Sequence, residues 1–362
     1  MRREIELIRT GKEKRMGKTF LKNLAGEKTE NVPFWFMRQA GRYLPEYREL
    51  RADKGGFLDM VYDPVAACEV TMQPIRRFGM SAAILFSDIL VVPHALGQDL
   101  KFVAGEGPKL KPIRNEAELA ALDDSKFDDV LSPIYGTVSN VRAGLKSEGF
   151  DDTALIGFAG SPWTVACYMV EGQGSKEWKE PKIAAYGDPA FFGKLIDILV
   201  ERTAQYLIAQ VDAGAEALQL FDSWSGALDS EQFHKWVIEP TRRIVDLIHV
   251  KHPNVPIIGF ARMAGNNITH YLEQSGVDAL GLDTQIDTAW AARTLQTKLP
   301  VQGNLDPFCL FAGGDALNHA TYKILDDLGG APFIFNLGHG INKDTPIAHV
   351  EQLVKILKDY KR

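Results

Sequence analysis

Eight short apolar runs recur along this chain, each set apart from the next by a longer stretch of helical character. They occupy residues 33–37 (PFWFM), 82–88 (AAILFSD), 154–160 (ALIGFAG), 216–222 (EALQLFD), 255–261 (VPIIGFA), 277–283 (VDALGLD), 300–305 (PVQGNL) and 332–338 (PFIFNLG). The runs are nearly continuous rather than alternating, which is how strands buried on both faces read. The helices between them announce their starts: Asp63-Pro64, Ser132-Pro133, Ser161-Pro162, Asp188-Pro189, Asp306-Pro307 and Thr345-Pro346 each set a capping residue before proline at a first helical position. Gly214 and Gly276 stand where helices should stop before the fourth and sixth runs. The pattern predicts an α/β fold, a single (β/α)8 TIM barrel, with residues 97–114 as a hairpin inserted after strand two. A doubly wound sheet is the alternative, but no Gly-x-Gly-x-x-Gly fingerprint follows the first strand.

The remaining bulk features exclude several classes. The longest apolar segment, around residues 82–96, is broken by Ser87 and Asp88, so no membrane-spanning helix is expected. The first residues lack the apolar centre of a signal peptide. Three scattered cysteines (Cys68, Cys167, Cys309) fit neither a disulfide framework nor a zinc cluster, and point to a reducing cytoplasm. A net charge of −6 argues against general nucleic-acid binding. The charge is unevenly spread: the first 22 residues carry eight Lys/Arg against three Glu. Residues 1–30 therefore read as a basic arm, flexible or helical, ahead of a catalytic barrel over residues 31–362.

In a barrel of this kind chemistry collects on the loops after the strands. There the unusual polar residues lie: Arg38 and Arg42 after strand one, Asp88 at the end of strand two, Tyr168 after strand three, Ser223 after strand four and His339 after strand eight. Arg48 and Arg51 read as solvated helix residues beside Glu46 and Glu49. Arg38 and Arg42 are harder to explain that way. They flank Gly41 at a strand exit, and guanidinium groups bind carboxylate or phosphate in a bidentate fashion. Asp88 is either a helix cap or a pocket carboxylate, and the pocket is favoured. His339 reads equally as a turn residue or a ligand contact. Tyr168 and Ser223 alone would more often be packing and capping residues, and Trp163, Phe221 and Trp224 fit an aromatic wall or plain barrel packing. No His-x-Cys, Cys-x-x-Cys or Gly-x-Ser-x-Gly occurs. The residues alone predict a mouth that binds an anionic small molecule; they do not give the reaction.

The segment PFWFMRQAGRYLPEYRELR resembles the N-terminal signature of the uroporphyrinogen decarboxylase family, and GFAGSPWTVACYMVEG resembles its second signature. ILFSDILVVPHALG, QLFDSWSG, QGNLDP and FNLGHGI follow in the family's order, so the likeness runs from about residue 31 to the end. It implies a homodimeric barrel in haem biosynthesis. The implied reaction turns the four acetates of uroporphyrinogen III into methyl groups with loss of four CO2, giving coproporphyrinogen III without metal or organic cofactor. It places substrate contacts at Arg38, Gln39, Ala40, Gly41, Arg42, Asp88, Tyr168, Ser223 and His339, with Asp88 and Arg38 as the catalytic pair. Asp222 stands where many members carry Glu. Three rivals remain: a zinc methyltransferase of the same superfamily, whose His-x-Cys ligands are missing here, a non-catalytic tetrapyrrole carrier, and a phosphate-binding barrel isomerase.

Overall fold

The structure, a computed structural model, describes residues 17–103 and 105–362; the first sixteen residues of the expected basic arm lie outside them. Seven parallel strands form one curled sheet in the order β1 (Ala82–Ile84), β4 (Ala154–Gly160), β5 (Ala217–Asp222), β6 (Ile257–Ala261), β7 (Ala279–Gly281), β8 (Val301–Leu305) and β9 (Phe333–Leu337). A separate antiparallel pair, β2 (Leu100–Val103) and β3 (Gly107–Leu110), follows β1.

Residues 33–37, expected as the first strand, do not form a ladder. Phe34 makes a single parallel bridge with Phe335 of β9, and its carbonyl accepts from the Ser81 N–H just before β1 at 2.9 Å. The segment thus touches both edges of the sheet. Trp35 N–H reaches the Phe335 carbonyl at 3.3 Å, but Pro33 has no donor and the others go to side chains: Phe34 N–H to Ser81 Oγ at 3.1 Å, Phe36 N–H to Gln39 Oε1 at 3.3 Å and Met37 N–H to Asn336 Oδ1 at 3.0 Å. Side-chain capture likewise shortens the second expected strand, where Phe86 N–H donates to Thr71 Oγ1 at 3.1 Å. Residues 85–89 are thereby freed to reach the mouth. Ser132-Pro133 is a further correction, lying inside the helix Phe127–Ser147 rather than opening it. The Asp129 carbonyl, which the proline ring cannot serve, accepts instead from Ser132 Oγ at 2.9 Å.

Alternate residues of the strands face two cores. Leu155, Leu218, Ile257 and Val301 pack outward under the helices. Inward, Ile156, Ile258, Phe260 and Ile334 meet Trp35 and Met37. Trp35 Nε1 donates to Gln302 Oε1 at 3.0 Å, and Gln302 Nε2 donates to Gln219 Oε1 at 2.8 Å, a polar link across the interior. Four strands begin with alanine (Ala82, Ala154, Ala217, Ala279), and the space these small residues leave is filled by Phe20 and Leu24 of the helix Thr19–Leu24. Burying a phenylalanine in this way contributes on the order of 2–3 kcal/mol. The division expected at residue 30 therefore does not separate this helix from the rest. Its leading residue, Lys18, is buried and donates to Glu216 Oε2 at 2.7 Å and to Thr153 O at 2.8 Å. Arg142 and the Leu155 N–H converge on the same Glu216 oxygen, at 2.7 and 3.1 Å.

Candidate active site

The loops after the C-terminal strand ends bring Arg38, Asp88, Tyr168 and His339 into one electrostatic neighbourhood. Asp88 is half-buried and its Oδ1 accepts from the Leu90 N–H at 2.9 Å. Burial pushes its carboxyl up to about 6, against the pull of that N–H and of the Arg38 charge. His339 is driven the other way, to about 4, by burial and then by the charges of Arg38 and Arg262, so it is neutral at physiological pH. Burial holds the Tyr168 phenol above its usual range, with Trp224, Asp88 and Arg38 acting on it as well.

Arg38 itself adopts φ 60°. A non-glycine residue in this left-handed region costs on the order of 1 kcal/mol and concentrates at functional sites. The turn carries the Arg38 side chain across Gly340, where an added Cβ would run into its Cγ and Cδ. Gly338 is needed for another reason: a Cβ there would meet the Thr284 backbone nitrogen at 2.5 Å. The two glycines around His339 thus serve two different neighbours. Since the Gly340 backbone lies outside the left-handed region, Gly340→Ala should fold normally and yet displace Arg38. We expect at least about a tenfold loss of activity, because small misplacements of a binding group are costly. Turnover within twofold of wild type, with an unchanged melting temperature, would break the link between the two residues.

The Arg-Gln-Ala-Gly-Arg loop divides its labour. Gln39 turns inward as a brace: its side chain accepts from Phe36 N–H and donates to Ala82 O at 3.2 Å, so it offers no side-chain contact to a ligand. Gly41 has an ordinary φ; the left-handed position falls on Arg38 instead. Ala40 and Gly41 line the loop, and Arg42 is exposed. Arg48 and Arg51 do not pair as expected with Glu46 and Glu49. Glu46 is held by Arg77 at 2.8 Å, while Arg48 Nη1 donates to the Arg42 carbonyl at 2.8 Å. With Arg42 and Lys343, the two arginines line a cavity of about 820 Å³ beside the mouth.

On the opposite wall, Tyr168, Trp178 and Trp224 pack edge to face or tilted, with centroids 4.9 to 6.4 Å apart. Trp163, also expected in this wall, is fully buried and donates to the Trp224 carbonyl at 2.9 Å. Phe221 packs against Phe158 and Phe260. Thr164 Oγ1 donates to the buried Asp222 at 2.6 Å and accepts from the Trp224 N–H at 3.0 Å, which fixes the turn bearing the half-buried Ser223. Burial pushes the Asp222 carboxyl up to about 7. Two residues at this mouth were not singled out from the sequence: Trp178, whose place depends on its own φ of 52°, and Arg262, at the exit of β6. Arg262 did carry a signal, a charge directly after a wholly apolar strand, the same mark that exposed Asp88. His94 is bonded to the Tyr62 hydroxyl at 2.7 Å. No helix among the described residues is long and apolar enough to cross a membrane.

A curled parallel α/β sheet with arginines and a half-buried carboxylate at its C-terminal end is the arrangement of an enzyme that receives an anionic small molecule. The same sheet architecture recurs in a methyltransferase from Methanosarcina mazei, with a TM-score of 0.79 at 19% identity over 94% of this chain and 97% of that one. Residues 16–360 match the family described as Uroporphyrinogen decarboxylase (URO-D), and the chain belongs to it. Among its relatives, the uroporphyrinogen decarboxylase of Rhizorhabdus wittichii is 56% identical, covering 91% of this chain and 94% of its own length. That of Novosphingobium aromaticivorans is 54% identical, over 94% and 98%.

Proposed function

We infer that this chain decarboxylates uroporphyrinogen III to coproporphyrinogen III, converting four acetate side chains to methyl groups. The observation that carries the reading is Arg38 laid over Gly340, next to His339, with its charge acting on both Asp88 and His339. An octacarboxylate needs cations to seat it, and a decarboxylation needs somewhere for electrons to go.

The pyrrole ring supplies that sink. Protonation on a ring carbon makes a cation; the bond to the acetate carboxylate then breaks, its electron pair enters the ring, and CO2 leaves an exocyclic methylene. A proton added to the methylene gives the methyl group, and the ring returns its first proton. One proton is consumed for each CO2 released. Asp88 accepts hydrogen bonds from the pyrrole N–H groups and stabilises the positive charge as it grows. Arg38 positions the reacting carboxylate and acts as the general acid or orients the group that does. Arg42, Tyr168, Ser223 and His339 complete the contacts, His339 as a neutral donor or acceptor, while Gln39 acts by holding the loop. The reading requires no cofactor. It also takes residues 33–37 as the eighth element of a closed (β/α)8 barrel with β2 and β3 as its insertion, in a cytoplasmic homodimer that binds no nucleic acid. Free Cys68, Cys167 and Cys309 and the −6 charge support that setting.

The test is anaerobic incubation of the purified protein with uroporphyrinogen III, followed by oxidation and a count of carboxylates by mass. Stepwise loss of four CO2 is expected; binding with all eight carboxylates retained would favour a carrier. Arg38→Lys should lower kcat/KM by about tenfold or more, since a point charge cannot replace a bidentate fork. Near-normal turnover would argue against the clamp.

A further inference from the structure

Arg262 leaves β6 with its backbone fully engaged. Its N–H donates to the Asp222 carbonyl at 3.0 Å, and its own carbonyl accepts from Gly226 N–H at 3.1 Å and from Ser225 Oγ at 2.8 Å. The following residue, Met263, sits at φ 59° with its N–H held by Asp283. The Ser223-bearing loop is interlocked with it, because a Cβ on Gly226 would strike the Met263 carbonyl at 2.5 Å. Three non-glycine residues have positive φ among those described, Arg38, Trp178 and Met263, and all three border this mouth. Left-handed residues of this kind persist only where surrounding structure enforces them.

The side chain of Arg262 is in the opposite condition. It is partly buried, and among the described residues its guanidinium has neither an ion-pair partner nor a hydrogen bond. β6 and β9 are separated in the sheet by β7 and β8. The Arg262 charge is nevertheless felt at His339, beyond β9, from a residue that leaves β6 at the C-terminal end of the sheet. A held backbone carrying a partnerless guanidinium at the strand exit is suited to receive an anion.

We propose that Arg262 is a substrate-binding residue, holding a carboxylate of the tetrapyrrole on the side of the mouth away from the Arg38–Arg42 loop. This rests on the functional reading above. Two cations from separate loops of the mouth grip an octacarboxylate at separated points, which fixes its rotation as well as its position. Ser223 lies on the loop that Arg262 anchors, so the two contacts are set together.

The inference is tested with Arg262→Gln and Arg262→Lys, by steady-state kinetics on uroporphyrinogen and by equilibrium binding of the oxidised porphyrins. Arg262→Gln should raise KM and weaken binding at least about tenfold, with a smaller change in kcat; Arg262→Lys should lose about threefold. Loss with both the octacarboxylate uroporphyrin and the tetracarboxylate coproporphyrin assigns the contact to a propionate, and loss with uroporphyrin alone to an acetate. An unchanged melting temperature and an upward-shifted His339 titration by NMR distinguish a lost charge at the mouth from a loosened loop. Binding and KM within twofold of wild type overturn the proposal. If Arg262→Gln does not fold, an unaltered Arg262→Lys overturns it. If the wild type binds the porphyrins but releases no CO2, the functional reading fails while the binding comparison still decides the role of Arg262.

Discussion

Asp88→Asn is expected to lower kcat by on the order of 10²–10³ while making the protein more stable. The rate falls because an amide cannot offer a full negative charge to a pyrrole cation, and removing one group of this kind usually costs about that much. Stability moves the opposite way. Folding raises the Asp88 pKa from 3.8 to about 6, so the folded state prefers the neutral carboxyl. That preference favours folding most below about pH 4 and is lost as pH rises through about 6, leaving an ionised, poorly solvated carboxylate at neutrality. Replacing it with a neutral side chain should therefore gain roughly 1–3 kcal/mol at pH 7–8 and little at pH 4. The wild-type kcat/KM should decline below about pH 6 as Asp88 takes up a proton, and this limb should vanish in the variant. Activity kept within about threefold of wild type would remove Asp88 from the mechanism. A stability loss at pH 8 would show that its charge is compensated in the folded protein.

Glu216→Ala should be the most damaging change to stability at a position remote from the mouth. Glu216 sits just before β5, and its carboxylate oxygen collects Lys18, Arg142 and the Leu155 N–H. Lys18 is 5% exposed and Glu216 1%, so the truncation leaves an ammonium buried without its counter-charge. Breaking a buried pair from one side costs about 3–5 kcal/mol. Denaturant unfolding should show that loss, and the helix Thr19–Leu24 should become the first segment to exchange its amides. The double variant Lys18→Met, Glu216→Leu should recover a large part of it, because the buried charges leave together. A loss under about 1 kcal/mol for the single variant would mean that Arg142 and solvent already carry the neutralisation.

Much of this was legible in the chain. Strands β4, β5, β6, β8 and β9 follow the continuous apolar runs almost residue for residue, because burial on both faces leaves a plain mark. Asp88 and His339 stood out as polar residues closing such runs. What stayed hidden depends on partners distant in sequence. Residues 33–37 look like a strand, and nothing local reveals that Gln39 and Asn336 take two of their donors. The need for glycine at 340 is invisible without Arg38 lying across it. The cations at the start of the chain masked the apolar Phe20 and Leu24, although four alanines at strand starts were the complementary signal.

Phe20 and Leu24 also decide how material moves. Among the described residues, these side chains fill the space below the strands, and Trp35, Gln302 and Gln219 are linked above them. On the proposed reading, that packing sends substrate, carbon dioxide and every partly processed intermediate through the same doorway. A molecule that has lost one carboxylate then blocks the next arrival for as long as it stays, and arginines that grip it as proposed would set the length of each visit as well as the choice of guest.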